Sequence, residues 1–203
     1  MPTTREALLN AALAALRGLP WSAVRMVDVA SAAGVSRQTL YNEFGSKEGL
    51  ARALVRREAD AYLRGVERAL GAGPDAASRL VSVAEWTVGE AAERPLLRAL
   101  LTGCWGDRLP APRPAAVRSR VLAGTPAQRR ADAGPPAPGE LLAAVRERSR
   151  TALGRDGVAG PGEEACELAV RLALSYVVAP DSRGLGALLR QALSATSRTA
   201  GDR

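Results

Sequence analysis

The sequence predicts an all-α protein, and three observations carry that expectation. Leu, Ala and Arg, all good helix formers, dominate the 203 residues, while aromatic residues make up only 3%. Apolar side chains recur at three- and four-residue spacing, as at Leu9, Ala12, Leu13 and Leu16. Capping residues and Gly or Pro breaks divide these stripes into helix-sized pieces. With 47% hydrophobic and 24% charged residues, the composition is that of an ordinary folded chain, long enough for a small head and a larger body.

The elements follow in order. Thr3 and Glu6 have capping-box spacing ahead of a first helix that should stop near Gly18, before Pro20. A second, short helix is expected from Met26 to Ala33, with Val29 and Ala30 inward, and Gly34 ends it. Ser36 can cap a third helix over about Arg37–Glu43; Gly45 closes that one, and Ser46 caps a fourth that continues to about Leu70. Further helices are expected from Pro74 to Glu93 and from Pro95 onward, each with Pro at a first helical position. From Gly106 to Gly139 the chain is rich in Pro, Gly and Arg and reads mostly as loop, with a short helix near Ala115–Leu122. Helices resume at Glu140–Leu153, at about Pro161–Val178 with Glu163 and Glu164 at its start, and at Ser182–Ser197.

Residues 26–50, MVDVASAAGVSRQTLYNEFGSKEGL, are the most informative stretch. Two short helices around a turn at Gly34 make a helix-turn-helix, whose second helix can lie in a major groove. Val29, Val35, Leu40 and Phe44 supply its core, and Ala30 is small where two helices must cross closely. The exposed side then presents Arg37, Gln38, Thr39, Tyr41 and Asn42, which can donate to phosphates or read base edges.

The run Ala33-Gly34-Val35-Ser36, with Thr39-Leu40-Tyr41, Phe44 and Ser46-Lys47-Glu48, resembles the N-terminal signature of TetR-family transcriptional regulators. The resemblance covers about the first quarter of the chain. It implies a TetR-like fold: a three-helix head, residues 1–48, and a helical ligand-binding and dimerisation domain, residues 49–203. It further implies a homodimeric repressor on a palindromic operator, released when a small ligand enters the body. By position, Arg25, Ser36, Arg37, Gln38, Thr39, Tyr41, Asn42 and Lys47 would face double-stranded DNA. Lys47 is the only lysine in the chain, at a helix start where anions are favoured, although a solvated surface lysine would read the same way. Tyr41 fits a packing role as well. Glu43 would be repelled by phosphates unless it turns away or accepts from a cytosine amine. Arg25 stands where the family usually has a hydroxyl cap.

Charge supports the head only weakly. The formal net charge is +7, yet residues 1–50 hold five cations against four acids. The motif carries the nucleic-acid expectation.

In the body, Val83, Trp86, Thr87, Leu97, Leu101, Cys104 and Trp105, with Tyr176, are candidates for a largely apolar ligand pocket suited to a lipophilic effector; they fit plain core packing equally well. The resemblance assigns Ala169, Val170, Ala173, Val177, Leu185, Leu188, Leu189 and Ala192 to a four-helix dimer interface, the alternative being packing within one chain. Within the family, RQTLYNEFGSKEGL and RLALSYVVAPD look most like regulators of lipid or alkane metabolism.

The exclusions are short. The chain has no His, no CxxC and no nucleophile elbow, P-loop or dinucleotide fingerprint, so no enzyme, cofactor or metal site is expected. With no bilayer-length apolar run and no secretory leader, no membrane partner is expected and a cytoplasmic location is. Two other readings use the same scaffold: a thiol-redox sensor through Cys104, or a protein-interaction module that has lost DNA binding.

Overall fold

The structure, a computed structural model, describes residues 3–111, 136–154, 163–182 and 184–201, with side chains placed through residue 195. The described residues form nine α-helices and one 3₁₀ turn, without strands. They fall into two compact units, Met1–Ala59 with Cys104–Pro136, and Asp60–Gly103 with Ala137–Arg203. The short helix expected at 115–122 lies outside the described residues.

The first unit holds α1 (Thr4–Gly18), the 3₁₀ turn Trp21–Ala23, α2 (Met26–Ala32), α3 (Arg37–Phe44) and the first part of α4 (Lys47–Leu70). Its starts are set by side-chain caps. Thr3 and Glu6 form the expected capping box, Thr3 accepting from the Glu6 N–H and Glu6 accepting from the Thr3 N–H at 2.7 Å. Ser36 accepts from the Thr39 N–H at 3.0 Å, and Ser46 from the Gly49 N–H at 3.0 Å. Arg25, at the head of α2, caps nothing with its side chain. Leu8, Leu9, Ala12, Val24, Met26, Val29, Ala30, Leu40, Phe44, Leu50 and Leu54 are buried and form the apolar interior.

The turn between α2 and α3 explains Gly34. Val35 N–H donates to the Ala30 carbonyl and Gly34 N–H to the Ser31 carbonyl, each at 3.0 Å, a Schellman closure. That closure needs a left-handed residue at its centre, and Gly34 has φ 68°.

In the second unit, α5 (Ala76–Glu93) packs against α6 (Pro95–Thr102), α8 (Glu163–Val178) and α9 (Leu185–Gly201). The seventh helix, α7 (Pro138–Gly154), packs on α6 and α8. Here two expectations are corrected: α5 begins at Ala76 rather than Pro74, because Asp75 caps it through the Ser78 N–H at 2.8 Å, and α9 begins at Leu185 rather than Ser182. Pro95 does occupy the start of α6. A cluster of Leu80, Val81, Ala84, Ala169, Ala173, Tyr176, Leu185, Leu189 and Leu193 joins α5, α8 and α9.

Candidate functional site

The residues expected to face DNA lie on the outside of the head, and most are already paired with one another. Ser36, Arg37, Gln38 and Asn42 are exposed, while Thr39 and Tyr41 are half-buried. Gln38 donates to Asn42 at 2.9 Å, and the Ser36 and Thr39 hydroxyls bond at 2.8 Å. The Arg37 guanidinium sits 5.3 Å from the Tyr41 ring centre. These are local, solvent-accessible pairs that a competing partner can displace at small cost. Arg25 is similarly engaged, forked onto Asp28 at 2.8 and 2.9 Å; that hydrogen bond holds the exposed Asp28 carboxyl below its usual range.

Glu43 points towards α1. Its carboxylate lies 3.4 Å from Arg5 Nη1, which also donates to the Glu43 carbonyl at 3.1 Å. Arg5 lies 4.6 Å from the Phe44 ring centre as well, so one arginine covers the end of α3. Lys47, half-buried at the start of α4, donates to the Ser22 carbonyl at 3.2 Å and lies 5.2 Å from the Trp21 ring centre.

In the second unit a narrow slot is lined by Tyr62, Val83, Thr87, Val145, Val170 and Ala173, among others. Its cavity volume, about 10 Å³, is room for one water-sized sphere. Tyr62 and Thr87 share a hydrogen bond of 3.1 Å there, and Tyr62 stacks on Trp86 with ring centres 5.6 Å apart. Burial pushes the Tyr62 phenol up to about 12, the Thr87 hydrogen bond opposing it, so the group is neutral at physiological pH. Gly65 lets the ring of Trp86 approach α4: a Cβ there would overlap the indole.

Residues 8–54 match the family of bacterial regulatory proteins named tetR. That match is confined to the head of the chain. One curated relative, the HTH-type transcriptional regulator AlkX of Mycobacterium tuberculosis, is 40% identical over 100 residues, covering 49% of this chain and 47% of that protein. The chain thus spans about half the length of the curated relative it matches. Among solved structures, the TetR family repressor AlkX from Dietzia sp., implicated in biodegradation of n-alkanes, aligns with a TM-score of 0.55 at 20% identity, over 97% of this chain and 96% of that one. A tetR-family transcriptional regulator from Streptomyces coelicolor aligns at 0.53 and 20%, over 98% and 81%. These likenesses extend the tetR-type all-α fold over both units.

Within this fold, the expected pocket residues do not all meet. Val83 and Thr87 line the slot, and Trp86 reaches it through Tyr62. Leu97 and Leu101 are buried in α6, and Tyr176 belongs to the cluster between α5, α8 and α9. Cys104, exposed, and Trp105, half-exposed, fall in the first unit. Of the residues assigned to a dimer interface, Ala169, Val170, Ala173, Val177, Leu185 and Leu189 are buried within the single chain; Ala192 is half-buried, and Leu188 keeps 38% of its surface. Tyr62, Trp21 and Arg5 went unnoticed in the sequence. Tyr62 lies in an ordinary helical stripe, whereas the turn that carries Trp21 meets Lys47 across 25 residues at Ser22, and Arg5 meets Glu43 across 38. Only Trp21, a large aromatic just after Gly18 and Pro20, carries a local signal. Among the described residues, no cluster of metal-ligating side chains occurs and no helix is long and apolar enough to cross a membrane.

Proposed function

We propose that this chain is a ligand-responsive repressor of transcription, binding a palindromic operator as a homodimer. The observation that carries the reading is the outer face of the head. Ser36, Arg37, Gln38 and Asn42 stand exposed on or beside an eight-residue helix held by a Schellman turn, with Lys47 at the start of the next helix. Base edges are read by such donors and acceptors, and phosphates by the lysine and arginines. One head offers few contacts, so two acting on half-sites about a helical turn apart supply specificity.

A mobility-shift assay against DNA upstream of the chain's own gene tests this. Lys47→Ala and Tyr41→Ala should each weaken a salt-sensitive shift about tenfold or more, Lys47→Ala also lowering the salt slope by about 1. A folded, dimeric protein that shifts neither this DNA nor any duplex enriched by random-sequence selection would refute the reading.

For the effector we infer a lipophilic molecule with one hydrogen-bonding group. The slot's lining is aliphatic except for the Tyr62–Thr87 pair, and the curated relative carries the name AlkX. The slot must widen to admit such a ligand, since about 10 Å³ holds only one water. Both Lys47 and Tyr62 lie on α4, about four turns apart, so a ligand that displaces Tyr62 acts on the helix carrying the phosphate contact. Fatty acids and long-chain alcohols added to the shifted complex should release DNA, and Thr87→Val should blunt that release.

A further inference from the structure

The single lysine of the chain stands at the first position of α4. There an ammonium group faces the positive end of the helix dipole, an unfavourable place for a cation. The fold compensates from a loop 25 residues earlier. Ser22 offers its carbonyl to Lys47 Nζ at 3.2 Å, and the electron-rich face of Trp21 lies 5.2 Å from the same nitrogen.

That loop is itself held. Ala23 N–H donates to the Pro20 carbonyl and Trp21 N–H to the Arg108 carbonyl, each at 2.9 Å. Val24, at the loop's end, is 3% exposed and anchors it in the head's interior. An ammonium carries three donors, and the Ser22 carbonyl takes one. A ring face attracts charge without consuming a donor in a linear hydrogen bond, so Lys47 keeps capacity for a further oxygen.

We propose that Trp21 is a positioning residue for phosphate binding. Together with the Ser22 carbonyl it fixes the Lys47 ammonium where it meets the DNA backbone. The inference rests on the reading of the head as DNA-binding and adds a residue to it. A free lysine side chain loses rotamer freedom when it grips a phosphate, whereas a seated one has lost it already. The gain is independent of base sequence, because phosphate contacts carry none.

The test uses the full chain and a mixed-sequence duplex of about 30 base pairs, titrated across salt concentrations. Trp21→Leu should weaken binding about three- to tenfold. Lys47→Ala should weaken it further, and the double variant should bind no worse than Lys47→Ala alone. Trp21→Phe, which keeps a ring with a weaker face, should fall between native and Trp21→Leu and guards against a variant that fails to fold. Reductive methylation with carbon-13 formaldehyde labels Lys47 and the terminal amine. The Lys47 methyl resonance should be ring-current shifted in the native chain and lose that shift in Trp21→Leu. Additive losses in the double variant, or a methyl resonance indifferent to Trp21, would overturn the proposal while leaving DNA binding intact. A native chain that binds no duplex would overturn the DNA reading and this proposal with it.

Discussion

Arg5 and Glu43 belong to different helices and are joined only by the fold. Arg5 spans the end of α3, pairing with the Glu43 carboxylate at 3.4 Å, donating to its carbonyl and covering Phe44. Both side chains keep about a third of their surface or less, so the set should contribute on the order of 1 kcal/mol, more than a fully solvated pair. Arg5→Ala should lower the denaturant midpoint accordingly. On the proposed reading it should also weaken duplex binding, because the freed Glu43 carboxylate then repels phosphates. Adding Glu43→Gln should restore affinity but not stability; a double variant as weak as Arg5→Ala would dissociate the two effects from Glu43. Tyr62 gives a second residue-scale test, in pH. Its folded phenol titrates at about 12 against about 10 in the unfolded chain. The unfolded state therefore loses its proton first as pH rises, and the contribution of the neutral phenol, complete below pH 10, disappears by about 12. Tyr62→Phe leaves the buried Thr87 hydroxyl without this partner and should cost about 1–2 kcal/mol at pH 7. The gap between native and variant urea midpoints should narrow by pH 11.

At the scale of elements, the caps decide where helices begin and one glycine decides how two of them meet. Thr3, Ser36, Ser46 and Asp75 each satisfy a backbone N–H that the first turn leaves open. Gly34 is different, because its φ of 68° costs an L-residue about 1–2 kcal/mol. Gly34→Ala meets no nearby atom, so the strain is purely conformational and the Schellman bonds to Ala30 and Ser31 carry the loss. Calorimetry should show a lower melting temperature for Gly34→Ala. Gly34→Asn should lose less, since Asn tolerates the left-handed region.

For the whole molecule, the proposed homodimer raises the question of which surface would pair two copies. The apolar stripes of α8 and α9 largely face α5, leaving Val178, 62% exposed, and Leu188, 38% exposed, as the large aliphatic residues still open to a partner. If the proposed dimer uses this surface, Leu188→Glu should shift sedimentation from dimer to monomer without changing the helical spectrum. Leu189→Ala removes a side chain with no exposed surface and should cost about 2–5 kcal/mol of fold stability instead. A Leu188→Glu chain that remains dimeric would place the proposed interface elsewhere, and a native chain that sediments as a monomer would refute the dimer. Net charge is a poor guide at this scale: five cations and four acids in residues 1–50 leave the head nearly neutral, and its polar face matters through arrangement.

The helical class, the helix limits to within about a turn, and the head motif down to its turn glycine are all legible in the sequence. Those features are local: a cap, a breaker or a 3.6-residue period acts over one or two turns. It also marked Lys47, through composition and position. Which face of a stripe is buried within the chain emerges only when the helices pack together. A buried Leu189 and an exposed Leu188 are neighbours with the same chemistry, and only packing against α5 and α8 separates them. The same holds for the seat of Lys47 on Trp21, the turning of Glu43 towards Arg5, and the joining of Tyr62 to Thr87. Each spans 25 or more residues of sequence, beyond the reach of any periodicity, because it forms only when helices close on one another.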